Sequence, residues 1–134
     1  MVEELARRFA SGDRAAAMEL FHPDIRIEQP ASLPHGGWHV GHQGMAEMGA
    51  QFAEHWDRTI TDPRIHGCGP VVVQITSQTW TAKSSGSEAT VDVVELFGFT
   101  DGLISEIRVF QQDTHLLLET LIEDPTPMQS QSPP

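Results

Sequence analysis

A chain of 134 residues, 39% of them hydrophobic and 20% charged, is long enough for one domain with a sizeable core. Its formal charge of -11, from 19 acidic and 8 basic residues with Lys83 the only lysine, argues against nucleic acid or an anionic membrane surface as partner. Cys68 stands alone, which excludes an internal disulfide and a metal site built on paired thiolates, and no run of about 18 apolar residues is present to span a bilayer.

Taken in chain order, Met1 to Ala10 mixes Glu3, Glu4, Arg7 and Arg8 with Leu5 and Phe9 at helical spacing. This predicts an amphipathic helix, not the uninterrupted apolar stretch of a signal peptide, so the expected location is cytoplasmic. Ser11-Gly12-Asp13 ends that helix, and Asp13 caps a second one over Arg14 to Phe21. Ile25 to Gln29 alternates as a strand and stops at Pro30. Pro30 to Gly44 reads as a long loop holding two prolines, four glycines and three histidines, a length usually reserved for function or disorder. A helix from Gln43 to Trp56 presents Met45, Met48, Phe52 and Trp56 as one apolar stripe. Two hairpins follow: Thr59 to Ile65 with Val71 to Ala82, and Ala89 to Phe99 with Leu103 to Gln112, the latter turning at Thr100-Asp101-Gly102. Thr114 to Ile122 predicts a short terminal helix. Residues 1–124 thus form one domain, and 125–134, with four prolines among Gln and Ser, a disordered tail. Helices followed by hairpins predict an α+β domain with helices on one face of an antiparallel sheet.

The most informative segment is Val91 to Phe99. Strand alternation puts Val91, Val93, Glu95, Phe97 and Phe99 on one face, with Glu95 in the middle of an apolar row. A buried carboxyl without a counter-charge tends to stay neutral, and a neutral carboxylic acid can donate a hydrogen bond to a developing oxyanion. If Thr100 to Gly102 form the loop, Glu95 faces Ile107, and Arg108 lies on the other face beside Asp92. Asp113 shares the parity of Ile107, Val109 and Gln111 and would reach the Glu95 face, unless it caps the following helix. His35, His39 and His42 are proton carriers in the long loop; their spacing fits no zinc site, so no metal is expected. Trp38, Phe52, Trp56 and Phe97 are the apolar candidates for ligand contact, and Gln29, His35 and Gln111 the polar ones. No nucleophile elbow or phosphate-binding glycine loop is present, and no cofactor is expected.

The order of elements is recognisable. Ser11-Gly12-Asp13 between short helices, Ile27-Glu28-Gln29-Pro30 closing a strand, Gly41-His42-Gln43-Gly44 opening a helix, Leu96 to Gly102 and Val109-Phe110-Gln111-Gln112-Asp113 together resemble the nuclear transport factor 2-like superfamily. Within it the chain is most similar to the SnoaL-like polyketide cyclases and the ketosteroid isomerases. The resemblance implies a curved sheet and three N-terminal helices around a cone-shaped pocket, often in a homodimer packed through the outer face of the sheet. By position, Glu95 falls where the isomerases keep the acid of their oxyanion hole, and Asp113 close to the acid/base aspartate of the SnoaL-like cyclases, with Gln112 as competing match. Gln29 stands where the isomerases have their proton-shuttling aspartate, and the chain has no tyrosine, so steroid isomerisation is disfavoured.

The expected function is therefore that of a cofactor-independent cyclase acting on a hydrophobic, polyketide-like small molecule. Glu95 and either Asp113 or a loop histidine such as His39 would carry its acid/base chemistry. Alternatives are an isomerase or dehydratase of a carbonyl compound, a module that binds a hydrophobic ligand without transforming it, and a protein-binding adaptor.

Overall fold

The computed structural model describes residues 3, 4, 7, 8 and 11–122. Of the predicted N-terminal helix only residues 3, 4, 7 and 8 fall among these, and they are helical; the tail from Pro125 lies outside the described residues. Gly12, at φ 81°, turns the chain, and Asp13 starts helix α1 (Arg14–Met18) by accepting a hydrogen bond from the Ala16 amide at 2.9 Å. The alanine run predicts a helix reaching Phe21. Instead Phe21 opens strand β1 (Phe21–Gln29), because its ring is needed in the core, where it is 3% exposed.

Strand β2 (Gly37–Val40) lies within the predicted long loop and leads directly into helix α2 (Gly41–Ala53). Then come β3 (Trp56–Cys68), β4 (Val71–Ala82), β5 (Glu88–Thr100), β6 (Leu103–Gln111) and helix α3 (Thr114–Glu119). The six strands form one curved sheet in the order β2-β1-β6-β5-β4-β3. The pairs β1–β2, β3–β4, β4–β5 and β5–β6 are antiparallel, but β1 lies parallel to β6, so the sheet is mixed and not antiparallel throughout as predicted.

The β5–β6 turn is the two-residue loop Asp101-Gly102, both at positive φ (54° and 77°), a geometry suited to the right-handed twist of a hairpin. It is one residue shorter than predicted, and Ser105 forms a bulge in β6. The two one-residue shifts move Glu95 from Ile107 to Val109 as its partner and leave its face unchanged.

Alternation then separates a core face from an outer face. Gln74, Thr76, Gln78, Trp80 and Ala82 of β4 and Val91, Val93 and Phe97 of β5 are buried. The predicted helix to Trp56 ends at Ala53: Trp56 begins β3, opposite Ala82, with its indole donating to Thr120 Oγ1 at 2.8 Å. Trp56 and Trp80 are each 1% exposed, 5.0 Å apart between ring centroids, and anchor the core together with Phe97, Ile25 and Leu117. Truncation of such a buried tryptophan typically costs ~3–5 kcal/mol.

Candidate functional site

Between α2 and the sheet lies a cavity of about 280 Å³. Helix α2 contributes Met48 and Phe52 of its predicted stripe; β3 and β4 contribute Trp56, Arg58, Gln78 and Trp80, and β5 and β6 contribute Val93, Glu95, Val109 and Gln111. Gln29, at the end of β1, and His35, from the segment before β2, close the same space.

Glu95 is the acidic group inside. Burial pushes its carboxyl above the usual carboxylate range, against the opposing pull of a hydrogen bond from Gln74 Nε2 at 2.9 Å and of the Arg58 charge. Gln74 in turn leaves its own amide oxygen buried without a partner.

His35 is 3% exposed. Its ring meets Phe52 edge-on at 5.4 Å, Trp56 at 6.0 Å and Trp80 at 5.8 Å between centroids. Desolvation in this aromatic box, helped by the Arg58 charge, pushes its pKa down to about 4, so the imidazole is neutral at pH 7. Its Nδ1 is buried and has no hydrogen-bond partner within the chain. Gly36 makes this placement possible: a Cβ there would sit 2.4 Å from the Pro30 carbonyl oxygen. The Gln111 amide oxygen is likewise buried without a partner. Unmade hydrogen bonds of buried groups cost about 1–3 kcal/mol each, and a polar ligand entering the cavity would relieve them.

Other predicted site residues lie elsewhere. Asp113 is exposed and accepts from the Leu116 amide at 3.0 Å as the N-cap of α3; β6 ends at Gln111, so strand parity no longer governs it. Gln112 is exposed too, its side-chain oxygen accepting from the Asp92 amide at 2.9 Å. His39 is spent on the backbone, with Nε2 2.8 Å from the His35 carbonyl oxygen, and His42 Nε2 lies 3.1 Å from the Phe21 carbonyl oxygen. Trp38 is 44% exposed on β2 with the Arg26 guanidinium 4.4 Å from its ring, away from the cavity. Phe97 is sealed in the core at 1% exposure and does not line the cavity. Arg108 pairs with Glu28 at 2.9 Å, not with Asp92, because the parallel β1–β6 register sets those two residues side by side.

Conversely, Arg58, Gln74, Gln78 and Trp80 escaped sequence reasoning. For Arg58 the signal was present: in Trp56-Asp57-Arg58-Thr59-Ile60 strand alternation puts Arg58 on the face of Trp56, but only if Trp56 belongs to a strand. Among the described residues no group of three or more His, Cys, Asp or Glu side chains could hold a metal ion, and no helix is long and apolar enough to cross a membrane.

A curved mixed sheet wrapped around a cavity, with few helices closing it, is the nuclear transport factor 2-like architecture. A protein of that kind from Burkholderia thailandensis superposes with a TM-score of 0.82 at 21% identity, over 89% of this chain and 92% of the other. TerC, co-crystallised with polyporic acid, superposes with a TM-score of 0.79 at 24% identity over 90% of this chain and 94% of its own. A provisionally assigned polyketide cyclase from Pseudomonas putida gives 0.75 at 13% identity, over 90% and 94%. At these identities the likeness concerns the fold. Residues 2–107 match the SnoaL-like domain family, and the chain belongs to it. No curated protein sequence matches the chain.

Proposed function

We propose that the chain is a cofactor-independent cyclase for a hydrophobic, carbonyl-bearing substrate of polyketide type. One observation carries this reading: a carboxyl held toward its neutral form and an imidazole held neutral line the same cavity. That combination has the polarity needed for carbon–carbon bond formation. Neutral His35 takes a proton alpha to a carbonyl through Nδ1, and protonated Glu95 donates a hydrogen bond to the enolate oxygen that develops. The enolate carbon then adds to a second carbonyl of the folded substrate, and the imidazolium returns its proton to the new alkoxide. A base of pKa near 4 suffices when a neutral carboxylic acid holds the oxyanion. Phe52, Trp56 and Trp80 supply the apolar walls that hold the chain folded on itself. Asp113 and His39 have no part in this scheme, since both are bonded to backbone outside the cavity.

The test is exchange of the alpha protons of 2-tetralone, an apolar ketone suited to the cavity, followed by NMR in D2O. The wild-type protein is expected to accelerate exchange. Glu95→Gln should slow it at least about tenfold, roughly 1.4 kcal/mol of barrier, and His35→Phe by about a hundredfold. Tight binding of the ketone with no acceleration by the wild type would replace this reading with that of a binding module.

We also propose a homodimer through the outer face of the sheet. Ile75, Val94 and Phe110 lie side by side across β4, β5 and β6, beside a row formed by Val73, Leu96 and Arg108. Phe110, near the end of β6 on that face, is 45% exposed.

A further inference from the structure

We propose that the ligand of this cavity is an anion, an aromatic or similarly apolar body bearing a carboxylate or comparable oxyanion that docks on Arg58 at the cavity mouth. This rests on the reading of the cavity as the ligand site and adds the charge class of what enters it.

Arg58 stands opposite Trp80 in the β3–β4 register, so both side chains project from the same face of the sheet, and Trp80 is in the core. It lies between Trp56 and Ile60 in the inward row of β3, and its guanidinium carbon is 4.7 Å from the centre of the Phe52 ring, which holds the cation over the aromatic wall. Its charge is felt inside: it favours the anion of Glu95 and disfavours protonation of His35. Lys83 lines the same mouth, with Nζ donating to the Ala53 carbonyl at the end of α2. Asp57 lines the mouth too, its side chain 77% exposed and its Oδ1 3.9 Å from Lys83 Nζ, so it offsets part of the lysine's charge.

The distribution matters because of the total. On a chain with 19 acidic and 8 basic residues, whose long-range field repels anions, Arg58 and the single lysine both border one cavity. Its interior holds a carboxyl that burial pushes toward its neutral form and an imidazole that is neutral at pH 7. A guanidinium held over an aromatic ring suits a planar oxyanion joined to an apolar body: the oxygens take the fork of donors and the body lies against the wall that Phe52 and Trp80 form by packing edge to face, 4.8 Å between centroids.

The experiment compares two fluorescent probes of nearly the same shape, anionic 8-anilinonaphthalene-1-sulfonate and neutral N-phenyl-1-naphthylamine, titrated into the folded protein with 2-tetralone as competitor. The wild type is expected to bind the sulfonate about tenfold more tightly than the neutral probe, with the preference shrinking as salt is raised. Arg58→Gln should bring the ratio to within about twofold, Arg58→Lys should restore part of it, and Arg64→Gln, whose partner is Asp62 on the outside, should leave it unchanged. Equal affinity for both probes in the wild type, or a preference that survives in Arg58→Gln, overturns the inference while the cavity reading stands. Failure of 2-tetralone to displace either probe overturns both.

Discussion

His35 makes the protein's stability depend on pH in a direction that can be worked out. Its folded pKa, about 4, lies below the 6.5 of a free imidazole, so the unfolded chain binds the extra proton first. The stability this group contributes is therefore complete above pH 6.5 and is lost as pH falls toward 4, with a slope of at most about 1.4 kcal/mol per pH unit. Glu95 acts in the opposite sense: its raised pKa favours the folded state at low pH and withdraws that support as pH rises through the folded value. Urea unfolding at pH 7 and pH 4.5 separates the two. His35→Phe is expected to lose less stability between these values than the wild type, because it lacks the group that must be charged on unfolding. The same pair bounds activity, which should decline on the acid side as His35 protonates and on the alkaline side as Glu95 ionises. In Glu95→Gln the remaining activity should lack the alkaline decline, and a pH profile of tetralone exchange reads this directly.

At the scale of elements, the segment from Pro30 to Gly36 behaves as a fixed bracket. The Leu33 amide donates to the Pro30 carbonyl at 3.1 Å and the Gly36 amide to the Leu33 carbonyl at 2.9 Å, so the turn leaves no space beside Gly36. Gly36→Ala would force its Cβ against two backbone oxygens, at 2.4 and 2.8 Å, and is expected to lower the unfolding free energy by ~2–4 kcal/mol in denaturant titration. Because His35 precedes it, tetralone exchange should fall even where the fold survives. Two other elements explain what sequence alone read and misread. The face of Glu95 was legible because alternation along β5 sets it, and its neighbour on β6 kept the expected parity because a shorter turn and a bulge at Ser105 displaced the register by two residues, an even number. The role of Asp113 was not legible, since parity holds only while β6 continues, and the carboxylate is worth more to the bare amides opening α3. Arg58 was hidden by the helix-to-strand boundary: reading Trp56 as the last turn of a helix removed the alternation that turns Arg58 inward.

For the whole molecule, the apolar rows on the outer face of the sheet bear on assembly. If that face joins two copies, Phe110→Lys should yield a monomer in size-exclusion chromatography with light scattering and leave the circular dichroism spectrum unchanged; a monomeric wild type would remove the dimer from the scheme. Composition, alternation and turn residues by themselves determined the α+β class, the hairpin β5–β6 and the inward row containing Glu95, because those depend on spacing along one strand or one turn. Only the tertiary structure decided that His35 and not His39 enters the cavity, that Arg58 lines it, and that Arg108 pairs with Glu28 across the parallel β1–β6 junction. Those facts come from residues far apart in the chain and brought together by burial, where a polar group's charge state is set by its neighbours and by the water it has lost.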